Sequence, residues 1–130
     1  MSKITPFLMF EGAAEAAMDF YVSLFPGSRI DEITRYGADG PGKEGSVIRA
    51  TFILGDQRVM CIDSPAQHAF TFTPSFSFFV DCETEEDLQR LIDALSQGGA
   101  FLMPPDNYGF SRRFAWLNDR FGVSWQLNLP

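Results

Sequence analysis

The polar residues best suited to contact a ligand alternate with bulky apolar residues near the end of the sequence. Within residues 123–129, Ser124, Gln126 and Asn128 fall on one side of a predicted strand, and Val, Trp and Leu residues fall on the other. A hydroxyl and two amides offer hydrogen-bond donors and acceptors, so this side is suited to line a pocket. The same alternation is typical of a half-solvated hairpin, and the pattern alone leaves both interpretations open.

Two residues of reactive type give weaker candidates. His68, the one histidine of the sequence, falls in a predicted loop without an acidic residue at a spacing that would orient it as a general base. Cys61 falls within an apolar strand-like run, which is typical of an inert buried thiol rather than a nucleophile. The start of the chain lacks the features of an export signal, so we expect Cys61 and Cys82 to be free thiols in a cytoplasmic protein.

Aromatic and basic residues accompany the closing hairpin. Trp116 and Trp125 either enclose a planar ligand between them or belong to the core of a phenylalanine-rich domain. A proline-rich loop is predicted over residues 104–110, at the expected rim of a pocket. Tyr108 lies within this loop, and Arg113 lies just after it. Arg113 there either holds an anionic group through two hydrogen bonds or forms a surface ion pair.

Composition excludes several classes of protein. The 130 residues predict one domain, and 45% hydrophobic residues, including 14 Phe, are enough for a core. The net charge of −7, from 10 basic and 17 acidic residues, argues against nucleic-acid binding. The sequence has no run of the roughly 20 apolar residues that a membrane helix needs, so we expect no membrane partner.

Hydrophobic periodicity predicts the order β-α-β-β-β twice, in an α+β fold. The first module would cover residues 1–66 and the second residues 67–130 of a single domain. One such module cannot bury its own sheet face, so we expect two modules to pair around a shared interior. Strands are predicted at 3–10, 28–36, 47–54, 57–63, 75–82, 100–103, 113–117 and 123–129, with a turn at 118–122, and helices at 12–25 and from 84 to the glycine pair 98–99. The second helix begins with a Thr84-x-x-Asp87 capping box and carries an apolar stripe, Leu88, Leu91, Ile92 and Leu95.

Several stretches resemble a known family over essentially the whole chain. They are Ile4-Thr5-Pro6-Phe7-Leu8, Glu15-Ala16-Ala17, Phe20-Tyr21, Phe72-Thr73-Pro74 and the long segment YGFSRRFAWLNDRFGVSWQLNL at 108–129. With the doubled βαβββ order, they resemble the PhnB-like branch of the glyoxalase, or vicinal-oxygen-chelate, superfamily. The resemblance implies an open barrel of mixed sheets with helices outside, a concave ligand-binding face, and commonly a homodimer.

The resemblance also implies where a divalent metal would bind in metal-dependent members. The corresponding positions on the first, fourth, fifth and eighth strands are Pro6, Met60 or Cys61, Ser75 and Gln126. Proline has no donor atom, a serine hydroxyl is a poor ligand, and three or more nitrogen, sulfur or carboxylate ligands are usual. We therefore expect no catalytic metal and no other cofactor.

Members of this branch often carry the label 3-demethylubiquinone-9 3-methyltransferase. Most enzymes that use S-adenosylmethionine have a glycine-rich turn after a parallel strand, whereas the glycines of 37–45 are predicted between strands. We expect instead a metal-free protein that binds a small, partly apolar molecule in the concave cavity, with its reaction open. The expected lining residues are Phe10, Ser75, Ser77, Phe79, Trp116, Ser124 and Gln126, with Tyr108 and Arg113 at the rim.

Two alternatives remain. One is an enzyme of lyase, isomerase or dioxygenase type on the same scaffold, which would use His68 as a base or a metal recruited by Gln126 and Cys61. The other is the methyl transfer that the family label describes.

Overall fold

A computed structural model describes residues 2–130, which form two compact units. The first unit ends at His68, and the second runs from Ala69 to Pro130. Each unit has the element order β-α-β-β-β and contains one four-stranded mixed sheet that does not close on itself. The predicted α+β class with two βαβββ modules is confirmed.

The first unit is one sheet covered by one helix. Its elements are β1 (Phe7–Phe10), α1 (Ala14–Leu24), β2 (Arg29–Arg35), β3 (Val47–Leu54) and β4 (Gln57–Asp63). The strand order is β1-β4-β3-β2, with β1 parallel to β4 and the other pairs antiparallel. The helix buries one stripe against the sheet, and its Tyr21 ring lies 6.3 Å from the ring of Phe52 on β3.

A buried aspartate fixes the start of α1 against the sheet. Asp63, the last residue of β4, accepts hydrogen bonds from the backbone N–H groups of Gly12 and Ala14 at 2.8 and 2.9 Å. Its second oxygen accepts from the Val47 N–H at 2.9 Å. A carboxylate at a helix start satisfies N–H groups that have no partner within the helix. Its role does not follow from any local pattern in the sequence.

The second unit repeats the arrangement. Its elements are β5 (Ser77–Asp81), α2 (Glu85–Ser96), β6 (Ala100–Asp106), β7 (Arg113–Asn118) and β8 (Ser124–Leu129). The strand order is β5-β8-β7-β6, with β5 parallel to β8. The predicted cap of α2 is confirmed, because Thr84 Oγ1 accepts from the Asp87 N–H at 3.1 Å. The predicted apolar stripe of α2 is buried as well.

Three strand boundaries differ from the prediction by two residues or more. Strand β1 was expected from residue 3, but it begins at Phe7, after Pro6, which cannot donate a ladder hydrogen bond. Strand β6 was expected to end at Met103, but it continues through Pro104 and Pro105 to Asp106. Proline is tolerated there because β6 is an edge strand, and irregular pairing with β7 accompanies the prolines. Strand β5 was expected from Ser75, but it begins at Ser77, because residues 73–76 form a turn in which the Phe76 N–H donates to the Thr73 carbonyl at 3.4 Å.

The turn between β7 and β8 is built around Asp119, which is 3% exposed. Its Oδ1 accepts from the N–H groups of Phe121 and Val123, at 2.8 and 3.0 Å, and its Oδ2 accepts from the indole Nε1 of Trp125 at 2.9 Å. Gly122 takes a φ of 89°, a conformation that favours glycine. The predicted turn at 118–122 is confirmed, and the aspartate sets the register in which β8 presents its side chains.

Within residues 2–130, neither helix is long and apolar enough to cross a membrane.

Candidate ligand-binding face of the second sheet

The second sheet has one face covered by its helix and one face turned away from it. Helix α2 packs on β7 and β8 over Trp125, Leu127 and other buried apolar residues. Cross-strand partners share a face, so the register assigns the remaining residues to the opposite side, which we call the open face. Its three cross-strand rows are Ser77, Ser124, Asn118 and Ala100; Phe79, Gln126, Trp116 and Met103; and Asp81, Asn128, Phe114 and Asp106.

The first row contains a short hydrogen-bond network centred on Ser124, which is 1% exposed. The indole Nε1 of Trp116 donates to Ser124 Oγ at 2.8 Å, and Ser77 Oγ lies 2.7 Å from the same oxygen. Ser77 Oγ also lies 3.4 Å from the Pro74 carbonyl, which can accept its proton. One consistent set of donors therefore runs from Trp116 through Ser124 and Ser77 to Pro74.

The second row forms a platform of two aromatic side chains with an amide between them. In register, Gln126 of β8 lies between Phe79 of β5 and Trp116 of β7. Phe79 is 55% exposed, and the side chains of Gln126 and Trp116 are partly exposed. Exposed aromatic surface beside an uncommitted amide is typical of a site for a planar or partly apolar molecule.

The third row joins polar groups to an aromatic cluster that includes Tyr108, and Asn128 is the row's one member that was predicted on this face. The Phe114 ring contacts three others, with centroid distances of 5.0 Å to Phe110, 6.3 Å to Tyr108 and 6.4 Å to Phe79. Phe110 is 62% exposed. In the sequence, Phe110 and Phe114 flank the pair Arg112-Arg113, which is a weak indication of an aromatic cluster. The contacts between the rings depend on the conformation of the 107–112 loop.

One buried polar atom of the third row has no hydrogen-bond partner among the described residues. The Asn128 amide, in a residue 7% exposed, donates from Nδ2 to Asp81 Oδ1 at 2.8 Å. Its Oδ1 is buried and accepts no hydrogen bond from the described residues, and the same is true of Asn118 Oδ1 in the first row. Buried acceptors without donors are uncommon in folded proteins, so both mark places where a ligand or water donor fits.

The structure brings together five of the nine predicted lining residues: Ser77, Phe79, Trp116, Ser124 and Gln126. Tyr108 borders the same face through its contact with Phe114. The pairing of hydroxyl and amide positions predicted from the β8 alternation is therefore present on one surface.

Three predicted lining residues lie elsewhere. Arg113 pairs with Leu129 on the helix-covered side, where its Nη1 lies 3.3 Å from Glu85 Oε1 in an ion pair. Ser75 lies in the turn before β5, with its Oγ 2.7 Å from Thr73 Oγ1. Phe10 belongs to the first unit and is buried on the side of that sheet that also carries Leu8 and Cys61.

A sandwich of a planar ligand between the two tryptophans is ruled out. Trp116 lies on the open face opposite Gln126, whereas Trp125 pairs with Leu117 on the other face. Trp125 is 1% exposed, and its indole donates to Asp119. The alternative interpretation, a core tryptophan, holds for Trp125 alone.

The residues at the expected metal positions do not fit a divalent cation. Gln126 offers one amide oxygen, and its register partners Phe79 and Trp116 add no ligand for a divalent cation. In the first unit, Cys61 lies on the buried side with Val59, and burial together with the charge of Asp63 raises the pKa of its thiol to about 12. A metal thiolate is disfavoured there. Within residues 2–130, no group of three or more His, Cys, Asp and Glu side chains is placed to hold a metal ion.

His68 lies within the first unit beside a polar cleft. Its Nε2 is 2.8 Å from Ser64 Oγ, so a hydroxyl group holds one side of the ring. The cleft of about 360 Å³ lies where β4 and the glycine-rich segment approach the start of α1. It is lined by Glu11, Gly12, Lys43, Ser46, Asp63, Ser64, Pro65, Ala66 and Gln67.

Comparison with known proteins gives the same family description from a sequence profile and from a similar solved structure. The sequence profile of the family described as 3-demethylubiquinone-9 3-methyltransferase matches residues 2–128. A crystallised PhnB protein from Bacillus cereus that carries the same methyltransferase label is 59% identical, with a TM-score of 0.97 over 99% of this chain and 100% of that one. Protein PA1353 from Pseudomonas aeruginosa is 26% identical, with a TM-score of 0.84 over 99% and 98% of the two chains.

A more distant structure shows the fold alone. The fosfomycin resistance protein FosX from Listeria monocytogenes is 9% identical, with a TM-score of 0.59 over 100% of this chain and 93% of that one. Comparison with curated proteins gave no significant match.

Proposed function

Because the chain belongs to the 3-demethylubiquinone-9 3-methyltransferase, or PhnB-like, family of glyoxalase-fold proteins, we propose that it binds a small, partly apolar molecule on the open face of the second sheet, without a metal ion. The observation that carries the proposal is the single surface formed by Phe79, Trp116, Ser124 and Gln126. Its aromatic groups are exposed or partly exposed, and a hydroxyl network lies beside them.

The open face offers two kinds of contact to a ligand. The rings of Phe79 and Trp116 provide apolar surface for a flat or branched hydrocarbon group. Between them, the Gln126 side chain can donate or accept a hydrogen bond, and it makes none with a described side chain. A ligand with an apolar body and one polar group satisfies both.

The hydroxyl network orients the platform. Because Trp116 Nε1 is committed to Ser124, its ring is held in one position before any ligand arrives. A preorganised aromatic group loses little conformational entropy on binding, which favours affinity. Ser124 and Ser77 therefore act as positioning residues, and the exposed rings make the contact.

The proposed binding does not use a metal ion, because the side chains of the second row offer too few metal ligands. An amide oxygen at Gln126 is one weak ligand, and its register partners are aromatic rings. A direct test replaces Gln126 with Glu and measures metal content and zinc or manganese binding. We expect no stoichiometric metal in the wild type or in Gln126→Glu. Tight binding of zinc or manganese by the variant would reveal a latent metal site and contradict the metal-free part of the proposal.

Methyl transfer is the second candidate, and the family description is the observation that favours it. The glycine-rich segment 37–45, however, connects the antiparallel strands β2 and β3 rather than a parallel strand and a helix. Calorimetric titration with S-adenosylmethionine decides this point. Binding with a defined stoichiometry would support the methyltransferase, and its absence would leave the label as one of similarity.

A lyase, isomerase or dioxygenase on this scaffold would need an acid, a base or a metal among its residues. Cys61 is not suited to this role because its raised pKa keeps the thiol neutral. His68 is the remaining base, and it lies against Ser64 in the first unit. Ligand binding as proposed does not involve His68.

A thermal-shift screen of small aromatic and aliphatic compounds tests the binding proposal, with protein treated with a chelator beforehand. Compounds that stabilise the wild type should lose their effect in Gln126→Leu. The matched control is Gln89→Leu, on the exposed side of α2, where the amide donates to Asp93 at 2.8 Å. Equal stabilisation of both variants would place the site elsewhere.

The family resemblance also supports a homodimer, which we include in the proposal. Several large apolar side chains are exposed on the single chain, including Phe70 and Phe76, and such residues are common at subunit contacts. Sedimentation velocity over a range of concentrations tests this point, and a monomer at all concentrations would contradict it.

A further inference from the structure

The third row of the open face combines an aromatic cluster with acidic side chains. Exposed rings of Phe79 and Phe110 lie against the buried ring of Phe114. In register, Asp81 stands two strands from Phe114 on one side, and Asp106 pairs directly with Phe114 on the other. The faces of aromatic rings carry partial negative charge, so rings and carboxylates attract the same kind of group, a cation.

The unsatisfied polar atoms on this face are acceptors. Asn128 Oδ1 and Asn118 Oδ1 are buried and accept no hydrogen bond within residues 2–130. The orientation of Asn128 follows from its neighbour, because only the NH₂ group can donate to the Asp81 carboxylate. Its oxygen therefore points away from Asp81 and calls for a donor. A ligand that brings an N–H satisfies this acceptor, whereas a second acceptor would repel it.

Basic side chains near this row are already engaged. Arg113 lies on the other face, paired with Glu85. Arg112, the residue before β7, donates from Nε to the Pro130 backbone oxygen at 2.6 Å. The net charge of −7 adds a long-range attraction for cations.

The geometry points to a small organic ammonium ion with at least one N–H as the ligand of the open face, its charge beside Asp81 and Phe79 and its N–H directed to Asn128. This inference rests on the proposed function, since it names the chemical class that the same face binds. An apolar substituent on the nitrogen would lie along the Phe79 and Trp116 platform.

Three probes of similar size test the assignment: N,N-dimethylbenzylammonium, which has an N–H; benzyltrimethylammonium, which has none; and benzyl alcohol, which is neutral. Binding is followed through the indole ¹H–¹⁵N signal of Trp116 on the full chain. We expect affinity to fall in that order. Asp81→Asn should weaken the first probe by about fivefold, since a partly solvated carboxylate contributes modestly.

The variants are chosen to keep the fold. Asn at position 81 can still accept from Asn128, and Asp93→Asn on α2 makes the same change of charge away from the open face. Phe110→Leu keeps an apolar side chain but removes the ring, so it should weaken both cations and leave benzyl alcohol unchanged.

The outcomes separate the two claims. If benzyl alcohol binds as tightly as the cations, or if Asp81→Asn behaves like Asp93→Asn, the ammonium assignment is overturned while the open face remains a binding site. If none of the three probes moves the Trp116 signal up to the solubility limit of the probe, the ammonium assignment is overturned. If no compound of the thermal-shift screen moves it either, the proposed function falls as well.

Discussion

The indole of Trp116 donates to the hydroxyl of Ser124 at 2.8 Å, across neighbouring strands of the second sheet. This bond joins a partly exposed ring to a buried oxygen, and Ser77 shares the same oxygen from the other side. Three strands are thereby linked through one hydroxyl on the face that we propose binds a ligand.

Replacing Ser124 with Ala should destabilise the fold more than replacing Ser77 with Ala. Ser124→Ala leaves Trp116 Nε1 without its acceptor and costs about 1–3 kcal/mol, whereas Ser77→Ala leaves that bond intact and costs about 1 kcal/mol or less. Urea unfolding of both variants measures the difference. Equal losses would mean that the Trp116 bond adds nothing to stability.

Asp119→Asn should be among the more destabilising conservative changes in the second unit. The variant replaces one acceptor oxygen with an NH₂ group that cannot accept from Trp125, so we expect a loss of about 2–3 kcal/mol. Asp56→Asn, in the exposed turn between β3 and β4, is the matched control and should stay within about 0.5 kcal/mol of the wild type. A neutral result at position 119 would contradict the role assigned to this carboxylate.

Gly99 permits the close approach of α2's end to β7. A Cβ at this position would lie 2.1 Å from the Asn118 carbonyl oxygen and 3.1 Å from the Asp119 Cα, so backbone would have to move. We expect Gly99→Ala to cost about 1–3 kcal/mol. Gly37→Ala, where a Cβ meets nothing within 4 Å, is the control. Similar thermal midpoints for the two variants would refute the steric argument.

The two buried thiols should make the protein less stable at alkaline pH. Burial, and then nearby acidic side chains, raise the pKa of Cys61 to about 12 and that of Cys82 to about 11, above their ordinary value of 9.0. Above about pH 9 the unfolded chain releases thiol protons that the folded chain keeps, so stability falls by up to about 1.4 kcal/mol per pH unit for each thiol. Below that pH the thiols have no such effect.

The measurement is the free energy of unfolding across the alkaline range for the wild type and for Cys61→Ala. The variant starts lower because of the lost side chain, but its slope with pH should be shallower. Parallel curves would show that Cys61 ionises equally in both states.

The doubled βαβββ order, the α2 stripe and the polar alternation of β8 could be predicted because each depends on local periodicity. The family resemblance then implied that Ser77, Phe79, Ser124 and Gln126 share one concave face, and the register places these four residues on one surface. The alternation of β8 also placed Trp125 on the opposite side, which the register confirms, but it did not show that Trp116 lies across from Gln126.

The roles of Asp63 and Asp119 could not be predicted in the same way. Each binds three donors, and most of those of Asp63 come from segments far away in sequence. Arg113 was misplaced for a related reason, since one position along β7 changes its face and its partner is Glu85 on α2. Asn128 was predicted on the polar side of β8, but Asp81 and Phe114 were not placed beside it, because this row joins three strands that are separate in the sequence.

The most direct test of ligand binding on the open face uses the two indole N–H signals as internal controls. The chelator-treated, ¹⁵N-labelled protein is titrated with the compounds that stabilise it in the thermal-shift screen. The account predicts that the Trp116 signal shifts in a saturable way while the Trp125 signal, buried against Asp119, stays in place. A shift of Trp125 alone, or binding that disappears without a divalent metal, would contradict it.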